Sequence, residues 1–124
     1  EGTSWEAAHF AVANKLDNLV VFVDKNGLQG FGNTADIFGD TASATIWSAI
    51  GFEVVEVDGH DIDALMAARE ELATRRNGKP KLIMAKTVKG KGVAHMENRM
   101  EWHYLPMNEA MYGDAVQQQN TTQP

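Results

Sequence analysis

The residues best suited by type and spacing to do chemistry lie in Asp24-Lys25-Asn26-Gly27-Leu28-Gln29-Gly30, a polar, glycine-punctuated stretch directly after the apolar run Asn18–Val23. An asparagine at the end of a strand offers a neutral side-chain oxygen to a hard cation. A bend at Gly27 lets the Leu28 carbonyl point at the same ion. Mg²⁺ takes oxygen ligands in octahedral geometry and is usually shared with a phosphate. Asn-Gly is also a plain turn signal; from the residues alone the turn is the first reading and the cation ligand the second. Lys89-Gly90-Lys91-Gly92 has the same double character. Glycines permit close approach to a phosphate and lysines supply charge, yet a flexible, solvated loop fits equally. Of the four histidines, His9 falls within a helix pattern and His60 beside a helix cap, where local hydrogen bonding accounts for each. His95 has no role assigned by the sequence.

These residues need a scaffold. Asn18–Val23 is too short for a buried helix and reads as a buried strand; ligands gather at the carboxyl ends of such strands in parallel α/β sheets. A helix capped by Thr3 or Ser4 runs to about Leu16, with Trp5, Ala8 or His9, Val12 and Leu16 at helical spacing. Its small residues Ala7, Ala8, Ala11 and Ala13 suit close packing in a subunit interface, or simply reflect helix propensity. Phe31–Asp40 has no clean period; its apolar anchors Ile37 and Phe38 are expected to fold over a site or against a partner. Thr41–Ile50 is a helix stopped by Gly51, with Ile46, Trp47 and Ile50 on one face and Trp47 in the core. Phe52–Val57 reads as a half-exposed strand with Glu53 and Glu56 outward. Asp61 caps a helix over Ile62–Arg76 that buries Ile62, Leu65, Met66 and Leu72. Lys81–Val88 is a further buried strand. The alternation predicts an α/β fold: a parallel sheet with helices on both faces and right-handed crossovers. A short helix is expected over Asn108–Gln118. Residues 1–116 are read as domain and 117–124 (QQQNTTQP) as linker or disordered tail.

The 124 residues allow one domain at most, and 44% hydrophobic content can build a core. The net charge of −6 argues against nucleic acid and against an anionic membrane surface as partners. There is no cysteine, hence no disulfide framework or thiolate chemistry. No apolar run reaches transmembrane length, and no signal peptide or internal repeat is visible.

Several segments, in order, resemble the thiamine-diphosphate domain of transketolases: Glu1-Gly2-Thr3-Ser4-Trp5-Glu6-Ala7, the NLVVFVDKNGLQG stretch, Trp47–Phe52, Val57–Asp61, Lys86–Gly92, and Met96–Asn98 through Trp102-His103. The resemblance covers Glu1 to about Met107. It implies that Asn26 and the Leu28 carbonyl are ligands of the Mg²⁺ (or Ca²⁺) that holds the diphosphate of thiamine diphosphate, which reverses the order of the two readings above. The third ligand, an aspartate in the family's Gly-Asp-Gly, has no counterpart; the chain is expected to begin just downstream of it. His103 matches a histidine that reaches the cofactor diphosphate and the reacting substrate, and an imidazole can both donate to phosphate oxygen and shuttle a proton. The departure is Tyr104, where the family usually has Gly; it would close the site or mark a different substrate. Glu1 matches a glutamate that hydrogen-bonds the catalytic glutamate of the opposite subunit, where paired carboxylates shift each other's pKa. Glu6 is read as a first-turn acid.

The activity implied is two-carbon ketol transfer between sugar phosphates by a transketolase-like enzyme of which this chain is a part. A deoxyxylulose-phosphate-synthase-like or other specialised thiamine-diphosphate enzyme is an alternative, as is a non-catalytic subunit that stabilises a partner. The resemblance further implies a cytoplasmic homodimer or heterotetramer. The pyrimidine-binding part would come from the rest of the enzyme or from a separate subunit, so this chain alone is not expected to be active.

Overall fold

A computed structural model describes residues 1–39 and 41–122. Its elements run α1 (Gly2–Ala13), β1 (Val20–Lys25), β2 (Leu28–Gln29), β3 (Gly32–Asn33), α2 (Thr34–Phe38), α3 (Ala44–Ile50), β4 (Glu53–Asp58), α4 (Ile62–Thr74), β5 (Lys81–Lys86), a 3₁₀ turn (Met100–His103) and α5 (Glu109–Thr122). They divide into two units, Glu1–Lys25 with Asp40–Lys86, and Asn26–Gly39 with Thr87–Pro124.

The first unit is built on β5. Its uninterrupted run of Leu82, Ile83 and Met84 is fully buried, as expected of a strand covered on both faces. It lies between β1 and β4 and is parallel to both: Val20 and Glu53 each stand opposite Lys81, and Lys25 and Asp58 opposite Lys86. On one face, Leu82 and Met84 pack with Ala8 and Ala11 of α1, Trp47 of α3 and Phe52. On the other, Ile83 packs with Ala68 and Leu72 of α4, supported by Val20, Val55, Val57 and Leu65. Each fully buried Leu, Ile or Met side chain stabilises by about 1.5–3 kcal/mol. The parallel sheet with helices on both faces is therefore as expected. β1 is displaced by two residues from the sequence reading, because Asp17 and Asn18 lie in a turn that Leu19 N closes by donating to Leu16 O at 3.0 Å.

Three packing details differ from expectation. In α4, Ile62 and Met66 are exposed: the stripe that meets the sheet is Leu65, Ala68 and Leu72, and Met66 lies one residue, about 100°, around from it. In α1, Ala8 and Ala11 are buried and His9 is exposed. Glu53, expected to face outward, instead accepts from the ammonium of buried Lys81 at 2.8 Å and from Asn77 Nδ2 at 2.7 Å, and pairs with Arg75. Asp61 caps α4 as predicted, accepting from Ala64 N at 2.9 Å.

In the second unit, β2 and β3 form an antiparallel hairpin with Leu28 opposite Asn33 and Gln29 opposite Gly32. Ile37 and Phe38, in α2, are largely exposed. α5 reaches beyond the helix expected, so residues 117–122, expected to be linker, are helical; Gln123 and Pro124 lie outside the described residues. Gln118 Oε1 accepts from Ala94 N at 2.7 Å, which fastens the far half of α5. Among the described residues no helix is long and apolar enough to cross a membrane.

Candidate cofactor site

The chain leaves β1 at Lys25 and turns at once. Asn26 Oδ1 accepts from Leu28 N at 2.9 Å, an Asx turn that sets the direction of the side-chain oxygen. Gly27 follows at φ +74°, a conformation an L side chain adopts only with strain. Its carbonyl accepts from Thr34 N at 2.8 Å, which closes the base of the hairpin. The polar stretch is thus both a turn and a device that presents the Asn26 amide oxygen and the Leu28 backbone side by side.

Asn26, Leu28, Gln29, Gly30, Lys89, Met100 and His103 line one cavity of about 100 Å³. Water occupies about 30 Å³ in the liquid, whereas pockets that enclose a drug-sized ligand run to about 300–1,000 Å³. The cavity therefore has room for a hydrated ion or a phosphoryl group. Its lining combines amide oxygens with an ammonium and an imidazole, a donor set suited to a cation–anion pair.

The loop bearing Lys89 is shaped by its own packing. A Cβ on Gly90 would meet Met96 O at 2.6 Å, Asn98 N donates to Lys89 O at 3.0 Å, and Gly92 N donates to Glu97 Oε1 at 3.1 Å. Lys89 lines the cavity, while Lys91 is exposed. His103 ends the 3₁₀ turn and stands edge-on to Tyr104, ring centroids 4.9 Å apart. Its other neighbour, Trp102, donates from Nε1 to His95 O at 2.7 Å and meets the His95 ring edge-on at 5.1 Å. His95 Nδ1 lies 3.4 Å from Asp114 of α5, and its Nε2 is buried with no hydrogen-bond partner among the described residues.

Of the residues singled out from sequence, Asn26, Leu28, Lys89 and His103 converge on this cavity. Glu1 does not line it: it is exposed at the start of α1, in the first unit, where its carbonyl accepts from Ser4 N at 3.2 Å. Gln29 and Gly30 belong to the polar stretch singled out from sequence but were given no role there, and Met100 was not anticipated. Strands of two residues leave no periodicity to read. Among the described residues there is no group of three or more His, Cys, Asp or Glu able to hold a metal. The two oxygens at Asn26 and Leu28 are neutral, so they fit a hard cation only as part of a larger set in which other groups supply the negative charge.

A parallel sheet flanked by helices, whose first strand runs into an oxygen-presenting turn, is the α/β arrangement in which ligands gather at the carboxyl ends of strands. Residues 1–121 match the family described as "Transketolase, thiamine diphosphate binding domain", and the chain belongs to that family. It is 39% identical over 116 residues to the 6-deoxy-6-sulfo-D-fructose transketolase subunit of a Clostridium species, covering 94% of this chain and 42% of the relative. It is 43% identical over 104 residues to an apulose-4-phosphate transketolase subunit of Actinobacillus succinogenes, covering 84% and 37%. The crystal structure of transketolase from Campylobacter jejuni superposes with a TM-score of 0.86 at 32% identity, covering 97% of this chain and 18% of that one. The chain thus spans about two fifths of the length of these two curated relatives.

Proposed function

We propose that this chain supplies the diphosphate-binding part of a thiamine-diphosphate transferase that moves a two-carbon ketol unit between sugar phosphates. The observation that carries the reading is the meeting of Asn26, Leu28, Lys89 and His103 around one cavity of phosphoryl size, in a chain of the thiamine diphosphate binding family. Asn26 Oδ1 and the Leu28 carbonyl would hold Mg²⁺ or Ca²⁺. Lys89 and His103 would take diphosphate oxygens, with His103 also placed to hold or move a proton at the substrate. Bound thiamine diphosphate would supply the electron sink for cleaving the bond beside a ketose carbonyl. The protein's own contribution is binding, orientation and proton handling.

The cavity is of phosphoryl size, and the organic part of the cofactor would lie against other polypeptide. Both relatives above are named as subunits, which supports a separate polypeptide carrying the pyrimidine-binding part, in a cytoplasmic heterotetramer or, with the parts fused, a homodimer. Glu1, exposed at the start of its helix, is assigned to a hydrogen bond with a glutamate of that partner. The relatives' names point to ketose substrates or their phosphates, with unusual sugars among them. The test is a ketol-transfer assay on the chain co-expressed with the partner subunit, beside calorimetric titration of thiamine diphosphate at fixed Mg²⁺. Metal-dependent binding and transfer are expected; a complex that binds no thiamine diphosphate would overturn the reading.

A further inference from the structure

We propose that Tyr104 is a positioning residue of this site: its hydroxyl, donating to the Gly30 carbonyl, fastens the turn that carries His103 to the hairpin that carries Leu28. The two segments are 74 residues apart in sequence and meet within one unit. Gly30 carries the first part of the argument. It is not among the glycines at positive φ, so conformational freedom does not explain it. Space does: a Cβ there would stand 3.0 Å from the Tyr104 hydroxyl and 3.9 Å from His103 Nε2. Glycine at position 30 leaves the room in which a tyrosine hydroxyl reaches the backbone, and the same glycine lines the cavity with His103.

The second part concerns His103, which is exposed at the end of a four-residue 3₁₀ turn. A single turn of this kind is a weak platform. It is held on both sides: Trp102 is tied to the His95 carbonyl at 2.7 Å, and Tyr104 is tied to Gly30 while its ring meets the His103 imidazole edge-on. Tyr104 is itself 60% exposed, so it contributes little as buried apolar surface. What it fixes is the direction of its neighbour, and catalytic groups displaced by an ångström lose much of their effect.

This inference rests on the proposed role of His103, so the experiment reads geometry and activity separately. The chain in complex with its partner subunit is compared with Tyr104→Phe, Gly30→Ala and the pair. Tyr104→Phe removes one hydroxyl and leaves the ring. It is expected to raise amide hydrogen exchange in residues 28–33 and 100–105 and to lower kcat by about threefold to tenfold, the ordinary worth of one hydrogen bond. KM for thiamine diphosphate should change less than about twofold, and the thermal midpoint should not move. Gly30→Ala crowds the hydroxyl by a few tenths of an ångström and should act in the same direction, and the double variant should fall no further than Tyr104→Phe alone, because both act on one contact. Unchanged exchange in Tyr104→Phe, unchanged kcat, or additive losses in the double variant would each overturn the proposal. Should His103→Ala retain full activity, the reading of His103 fails instead, and the exchange measurement still decides whether the strap exists.

Discussion

Glu53 and Lys81 stand directly opposite one another in the β4–β5 register, with Lys81 Nζ 2.8 Å from Glu53 Oε2 and the lysine fully buried. The pair ties the first residues of two strands, and Asn77, which accepts from the same ammonium, ties in the connection that enters β5. The Lys81 ammonium beside Glu53 is the main cause that lowers the carboxyl to about 2, against the opposing effect of burial and with help from Arg75 and Asn77. The lowered pKa means the folded state prefers the ionised form. The stability this confers is complete above the unfolded value near 4.5 and is lost as pH falls through about 2. Glu53 is 18% exposed at its side chain, and with solvent screening the contribution is on the order of 1–2 kcal/mol. Urea unfolding between pH 6 and pH 2 is expected to show this loss, and Glu53→Gln is expected to flatten that part of the profile.

The two halves of the pair should not be equivalent. Glu53→Gln leaves a fully buried ammonium without its carboxylate, which should cost about as much as protonation does, on the order of 1–2 kcal/mol. Lys81→Met leaves a part-exposed carboxylate that still has Arg75 and Asn77, and should cost less. Chemical denaturation of both variants at neutral pH would check the order; a larger loss in Lys81→Met would contradict it.

Asn26→Ala removes the acceptor of the Asx turn and the proposed ligand together. Thiamine diphosphate affinity in the assembled enzyme is expected to fall by at least about tenfold at fixed Mg²⁺. Asn26→Asp keeps an oxygen and should retain more of it. Calorimetry on both variants separates turn from ligand: equal affinity in Asn26→Ala and the parent would leave Asn26 as a turn residue.

His103→Ala should lower turnover by about 100-fold or more while cofactor affinity changes far less. Diphosphate binding is shared among several groups, whereas a proton relay has no ready replacement. Steady-state rates at saturating cofactor give the answer. A variant that lost only affinity would make His103 a phosphate anchor.

Trp47 is the centre of the aromatic cluster, stacked on Trp5 at 4.8 Å and edge-on to Phe52 at 5.2 Å. Trp47→Ala is expected to destabilise the protein by about 3–5 kcal/mol, with loss of near-ultraviolet dichroism as the three rings separate. Thermal and urea unfolding would measure it.

The sheet was legible because β5 is apolar without interruption and β1 and β4 flank it with β-branched residues, while Asp61 announced α4 through a cap whose chemistry is local. The Glu53–Lys81 pair was not legible: the residues are 28 apart in sequence, and only the strand register makes them neighbours. Nor was the far half of α5, since QQQNTT has no apolar stripe and its hold comes from a side-chain amide on a distant backbone. At the site, strand-end chemistry offered Asn26 and Leu28 as oxygen donors only as a second reading after a plain turn, and the resemblance to a family raised it, whereas Met100 depends on a 3₁₀ turn too short to leave a pattern.

The strand order β1-β5-β4 also sets a timetable. Among the described residues β1 and β4 are not partners; each pairs with β5, the last of the three to leave the ribosome. Val20 must therefore wait for Lys81, opposite it, before a ladder bond among these three strands can form. Pairing among the three cannot proceed in the order in which they are made. It should occur late and as one event, and until then two unpaired β-rich segments are carried by the nascent chain, open to aggregation.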